Sequence, residues 1–251
     1  MEKFIIEGGH PLNGEMTPAG NKNAALPILA ACILTDQPIT LFNVPNIQDV
    51  NTMRSLLENL GVSIELLDSS TWQIQAKNVN PTKLDPELLK CIRASILLAG
   101  PMVSRMGDFS LTPPGGDVIG RRRLDTHILA LRDLGAEVAY EKDKKIFHFK
   151  AKNGLSGADI LLDEASVTAT ENAIMAAVTA KGDSMIRNAA SEPHIQDLCR
   201  FLNTLGAKIE NIGSNKLNIH GVSNLGGGEF RIGPDYLEVV SYIGAAVVTR
   251  G

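Results

Sequence analysis

The sequence predicts an inside-out α/β barrel lobe, with apolar helices at the centre and small sheets with amphipathic helices around them. Three observations predict it. A Leu-Gly pair recurs at Gly61, Gly135 and Gly206, 74 and then 71 residues apart. Each pair ends an amphipathic helical pattern and is followed by two short strand patterns. Ahead of each lies a more uniformly apolar helix leading into a strand, and a helix apolar on most sides belongs in an interior. The unit is helix, strand, helix, strand, strand, repeated three times.

The opening halves are "KNAALPILAACILTDQPITL", "RASILLAGPMVSRMGDFSL" and "TATENAIMAAVTAKGDSMI". The outer helices follow in "VNTMRSLLENLGVSIEL", "LDTHILALRDLGAEVAY" and "IQDLCRFLNTLGAKIEN". In the first, Met53, Leu56, Leu57 and Leu60 keep i, i+3, i+4, i+7 spacing, and Ile195, Leu198, Leu202 and Leu205 nearly repeat it. Each glycine falls where a helix C-terminus takes a left-handed residue. The hairpins that follow end in "WQIQA", "KIFHFKA" and "KLNIHG". "GGG" at 226–228 reads as a flexible crossover. "DYLEVVSYIGAAVVTRG" opens a fourth apolar helix whose strand would begin near position 252, which suggests a longer protein or a natural truncation. "KFIIEGGHPLNGEM" stands outside the repeats as two strand-like pieces. The expected division is a complete lobe over 20–231, with 1–19 and 232–251 as pieces of a second, mostly absent lobe.

Apolar residues make up 44% of the 251, and the net charge is −4. A core is available, and nothing global favours nucleic acid or an anionic membrane as partner. Cys32, Cys91 and Cys199 are odd in number and widely spaced, as expected of reduced, buried thiols in a cytoplasmic protein. No apolar run reaches the roughly 18 residues of a membrane span. The histidines and cysteines have no metal spacing, so neither metal nor cofactor is expected. His127 reads as a residue on a helix face.

Three equivalent helix starts carry Lys22-Asn23, Arg93 and Ser166-Val167-Thr168. Gathered by pseudo-threefold symmetry, their free N–H groups and dipoles would make an anion site, to which Lys22 and Arg93 add full charges. Ser166 and Thr168 read equally well as plain N-caps, and the two cations as surface residues. The loop "PPGGDVIGRRRLD" sets Asp117 just ahead of three arginines. It fits neither a dinucleotide fingerprint nor a P-loop. A solvated turn with an Asp–Arg pair is the plainer reading.

"NKNAALPI", "IRAS", "PGGDVIGRRRLDTH", "SVTATENAIMAA" and the "EP" at 192–193 together resemble the UDP-N-acetylglucosamine enolpyruvyl transferases, or 1-carboxyvinyltransferases, of the EPSP-synthase-like superfamily. The resemblance runs along the whole chain. It implies two lobes of three repeats and the first committed step of peptidoglycan synthesis. Lys22 and Arg122 would hold phosphoenolpyruvate, and Asn23 and Arg93 would serve the sugar nucleotide and the reaction centre. Arg122, Arg123, Leu124, Asp125 and Thr126, with Glu164, Ala165, Ser166 and Val167, would line the uridine and diphosphate. Asp235 would help shape the site near the lobe junction. Thr168 stands where many members have Gly.

Asp117 takes the place usually filled by a reactive cysteine. In the implied reaction the sugar 3-hydroxyl attacks carbon 2 of phosphoenolpyruvate while carbon 3 gains a proton. A carboxylic acid can deliver that proton as a thiol can. It must then be buried near substrate anions, because free Asp, with a pKa near ~3.9, is ionised at neutral pH. A carboxylate is the poorer nucleophile, so resistance to the thiol-alkylating epoxide fosfomycin is expected. The C-terminal remainder of such a protein brings further catalytic residues, so this chain alone is expected not to turn over. The alternatives are a non-catalytic sugar-nucleotide binding module and the sister enolpyruvylshikimate-phosphate synthase.

Overall fold

The computed structural model describes residues 3–116 and 123–251. The first repeat comprises α1 (Lys22–Ala31), continued by a 3₁₀ turn at Cys32–Leu34, β1 (Ile39–Phe42), α2 (Gln48–Asn59), β2 (Ser63–Leu66) and β3 (Trp72–Gln75). After a short helix α3 (Pro86–Cys91), the second begins as a 3₁₀ segment at Arg93–Leu98. It runs on through α4 (Ala99–Met106), β4 (Asp108–Leu111), α5 (Asp125–Asp133), β5 (Glu137–Glu141) and β6 (Ile146–Lys150). A connecting strand, β7 (Asp159–Leu161), precedes the third. That repeat comprises α6 (Val167–Ala177), β8 (Asp183–Arg187), α7 (Pro193–Thr204), β9 (Lys208–Glu210) and β10 (Lys216–His220). β11 (Gly228–Arg231) and α8 (Tyr236–Thr249) complete the chain.

The mixed α/β fold foreseen from the repeats is present. Each unit lays its first strand antiparallel to its last, as in Ile39↔Ile74, Phe109↔Phe149 and Ile186↔Leu217. The three sheets run β11-β1-β3-β2, β4-β6-β5 and β7-β8-β10-β9, and among the described residues they do not close into a barrel. The two connecting strands add parallel edges: β7 joins β8, and β11 returns to β1 with Ile39 opposite Gly228.

Every residue from Ala24 to Ala31 in α1 and from Ala169 to Ala177 in α6 is buried. Alanine lets such helices form at little side-chain entropy cost and pack closely. The outer helices bury one face, including Met53, Leu56 and Leu57 in α2 and Ile195, Leu198 and Leu202 in α7. Gly61, Gly135 and Gly206 lie at φ +93°, +94° and +101°. In all three turns the glycine N–H and the next N–H reach back to close the helix: Gly61 to Glu58 and Val62 to Leu57, Gly135 to Arg132 and Ala136 to Leu131, Gly206 to Asn203 and Ala207 to Leu202.

Four expectations are corrected. Cys32 and Cys199 are buried thiols, but Cys91, at the end of short α3, is exposed. Residues 3–19 carry no strand; Gly20 makes an isolated bridge to Pro234. The 226–228 glycines are pinned: Gly226 N–H donates to Leu205 O, Gly228 opens β11, and a Cβ on Gly227 would sit 2.3 Å from Pro38 O. His127 is 2% exposed.

His127 belongs to a polar knot between repeats. Asn172 of α6 accepts from Gly100 N–H at 2.7 Å and donates to Ile96 O at 2.9 Å. Its amide also faces His127 Nδ1 at 2.9 Å, and His127 Nε2 meets Thr168 Oγ1 at 3.2 Å. Because the Asn172 amide nitrogen can only donate, Nδ1 accepts and Nε2 carries the proton toward Thr168. Burial first, then the Arg93 charge, push the His127 pKa down to about 3, so the ring is neutral.

α8 buries none of its residues; Val240, Ile243, Val247 and Val248 are all exposed, as are Phe4, Ile5 and Ile6. Among the described residues, no helix is long and apolar enough to cross a membrane.

Candidate active site

The N-terminal ends of the three central helical segments open onto one cleft of about 740 Å³. Lys22 and Asn23 come from α1, Arg93 and Ala94 from the 3₁₀ segment ahead of α4, and Ser166, Val167 and Thr168 from the start of α6. Asn21 caps α1, its side-chain oxygen accepting from Ala24 N–H, and Ser166 caps α6 by accepting from Ala169 N–H. Each cap satisfies one first-turn donor. Others have no intrahelical partner and stand at the positive end of the dipole. The cap foreseen at Ser166 is present, Thr168 instead lies inside α6 and bonds His127, and the three helix tips share the cleft.

Lys22 Nζ lies 3.0 Å from Asp49 Oδ2, both side chains 42% exposed. An ion pair that open is worth at most about 1 kcal/mol, so an arriving anion can displace it cheaply. Arg93 Nη2 donates to Arg123 O at 3.0 Å, tying the second helix tip to the chain that re-enters after residue 122. Arg123 contacts Asp125 at 2.8 Å and Asp163 at 3.4 Å, and the Asp125 contact above all raises its pKa. Gly115 and Gly116 press backbone against backbone: a Cβ on Gly115 would lie 1.8 Å from Lys90 O, and Gly116, at φ +89°, donates its N–H to Lys90 O. The chain thus leaves the described region beside Arg93 at Gly116 and returns at Arg123, and both residues line the cleft.

Of the residues singled out in the sequence, Lys22, Asn23, Arg93, Arg123, Glu164, Ser166 and Val167 line the cleft. Leu124, Asp125, Thr126, Ala165 and Asp235 do not line it. Thr126 is 2% exposed and donates to Asp163, and Asp235 caps α8 by accepting from Leu237 N–H. Asp117 and Arg122 lie outside the described residues. The sequence reading missed Asp49, Cys91, Glu171 and His194, which also line the cleft. Glu171 carried a usable signal, an acid inside a helix expected in the interior. Among the described residues, no group of His, Cys, Asp and Glu could hold a metal ion.

A threefold-repeated scaffold with its central helix tips around one cleft defines a class, the fold of the enolpyruvyl transferases. The chain superposes on the enolpyruvyl transferase NikO from Streptomyces tendae with a TM-score of 0.80 at 22% identity, covering 95% of this chain and 56% of that one. Against EPSP synthase from Acinetobacter baumannii the TM-score is 0.75 at 19% identity, over 95% of this chain and 54% of the other. At these identities the likeness concerns the fold. The model of the EPSP synthase (3-phosphoshikimate 1-carboxyvinyltransferase) family matches residues 6–251, and the chain belongs to that family. Within it, the chain is 56% identical over 248 residues to a UDP-N-acetylglucosamine 1-carboxyvinyltransferase of Bradyrhizobium diazoefficiens and 55% identical over 251 residues to one of Treponema denticola. These matches take in 99% and 100% of this chain and 57% and 58% of those proteins, so the chain spans little more than half the length of the curated relatives it matches.

Proposed function

We propose that this chain supplies the sugar-nucleotide half of an enolpyruvyl transferase acting on UDP-N-acetylglucosamine and phosphoenolpyruvate, the opening step of peptidoglycan synthesis. The observation that carries the reading is the convergence of Lys22, Arg93 and the α6 N-terminus on one cleft, in a chain 56% identical to a protein bearing that activity in its name. Two positive side chains and the α6 tip suit a diphosphate. Lys22, once released from Asp49, suits the phosphate or carboxylate of phosphoenolpyruvate, a ligand to which Arg122 is assigned as well. Asn23, Arg93 and Arg123, with Glu164 to Val167, hold the nucleotide. Asp125 pairs with Arg123 directly and Thr126 is linked to it through Asp163, while Asp235 shapes the start of α8.

Asp117 is the proton donor in this reading. It follows directly on Gly116, a residue that lines the cleft. Bound anions offset the arginines, exclude water and favour the protonated acid. The sugar 3-hydroxyl oxygen bonds to carbon 2 while Asp117 gives its proton to carbon 3, making a tetrahedral intermediate. Loss of phosphate breaks the carbon–oxygen bond at carbon 2, and carbon 3 returns a proton to the Asp117 carboxylate, which restores the double bond and the acid. A base for the hydroxyl proton belongs, on this reading, to the part of the protein beyond residue 251. Residues 20–231 are then one lobe, with 1–19 and 232–251 belonging to a second.

The test is calorimetry of this chain with UDP-N-acetylglucosamine, run beside a phosphate-release assay with phosphoenolpyruvate added. Stoichiometric binding without phosphate release is expected. Failure to bind the sugar nucleotide would refute the reading, and preference for shikimate 3-phosphate would transfer the chain to the sister activity.

A further inference from the structure

Two residues that line the same cleft carry buried polar atoms without hydrogen-bond partners among the described residues. Glu171, in the second turn of α6, is 1% exposed, and its Oε1 has none. His194, in the first turn of α7, is 4% exposed, and its Nε2 has none. Both residues line the cleft. An unpaired buried polar group costs about 1–3 kcal/mol, and a fold that keeps two in one cleft bears that cost twice.

The surroundings say what these atoms suit. Burial above all, then the Glu192 charge, hold the Glu171 carboxyl protonated well above the usual carboxylate range. Burial likewise depresses His194, against Glu192 and Asp197, which favour its cation. The His194 ring stacks on Tyr236 at 6.3 Å, with the Tyr236 hydroxyl 3.4 Å from Nδ1, so α8 fixes its orientation. The cations Lys22, Arg93 and Arg123 belong to the helix tips and the loop beside them, whereas Glu192 is the charge that acts on both Glu171 and His194. Anions belong with the cations. Glu192 disfavours a second anion near Glu171, while a neutral acid and a neutral imidazole offer both donors and acceptors.

We propose that Glu171 and His194 form a second, uncharged subsite of this cleft, which takes the hydroxyl- and amide-bearing ring of the ligand whose phosphates occupy the helix tips. On this assignment the pair lets the protein tell a nucleoside diphosphate sugar from the bare nucleoside diphosphate. The inference rests on the sugar-nucleotide reading above.

The experiment compares dissociation constants for UDP-N-acetylglucosamine and UDP in the unsubstituted chain, Glu171→Gln and Glu171→Met. The unsubstituted chain is expected to prefer the sugar nucleotide. Glu171→Gln, a neutral group that still donates and accepts, keeps that preference within about twofold. Glu171→Met, of similar length but apolar, lowers it about tenfold while leaving UDP affinity unchanged. Equal weakening toward both ligands in Glu171→Met would mark a purely structural role and overturn the subsite alone. A full preference retained in Glu171→Met would overturn it as well. If the unsubstituted chain binds neither ligand, the sugar-nucleotide reading fails and takes the subsite with it.

Discussion

His127 shows how far tertiary surroundings can set the chemistry of one residue. Its ring is sealed between Asn172 and Thr168, and its pKa falls from an ordinary ~6.5 to about 3. Unfolding therefore takes up a proton between these values. Native stability rises with pH from about 3 to 6.5 and is level above, amounting to about 4–5 kcal/mol at most across the window. His127→Gln should remove that portion of the slope. Urea unfolding of both proteins at several pH values measures it, and parallel curves between pH 4 and 6.5 would contradict it. The sequence showed only a histidine in an amphipathic helix, and its polar partners come from another repeat. Asp49 was illegible for the same reason, since its place beside Lys22 is a tertiary fact. Lys22, Arg93 and Ser166 were legible because repeat phase marks each as a helix start.

At the level of elements, α6 is held to its neighbours by polar bonds as well as by packing. Asn172 serves Gly100 N–H, Ile96 O and His127 at once. The close approach needs Gly100, where a Cβ would lie 2.6 Å from Asn172 O. Asn172→Leu takes their side-chain partner from Gly100 N–H and His127 Nδ1, while Ile96 O keeps the Ala99 N–H, so a loss of about 3 kcal/mol is expected. A urea midpoint shift equivalent to less than about 1 kcal/mol would show that the knot is dispensable. Central and outer helices were legible as elements because their apolar patterns are long, and the outer ones end in the same glycine turn. β7 and β11 were not. "DIL" and "GEFR" are too short to display alternation, and each forms by pairing parallel with a strand of a different repeat.

Across the whole molecule, duplication puts three helix starts at one phase, and packing the three central helices together brings those starts to a common mouth. Neither step needs a loop to adopt a special shape, which is why the cleft could be foreseen from spacing alone. The acid and imidazole of that cleft could not, because α6 and α7 bring Glu171 and His194 to the same cavity only in the folded chain. The uncovered faces of α8 and residues 3–16 likewise become visible only when burial is assigned residue by residue. The most direct measurement of the central claim is a crystal structure of this chain with UDP-N-acetylglucosamine bound. The diphosphate should lie within hydrogen-bonding distance of Arg93 and the first-turn N–H groups of α6, with Lys22 turned from Asp49 toward the ligand. A nucleotide bound away from the three helix tips, with the Lys22–Asp49 pair intact and Arg93 untouched, would contradict the account.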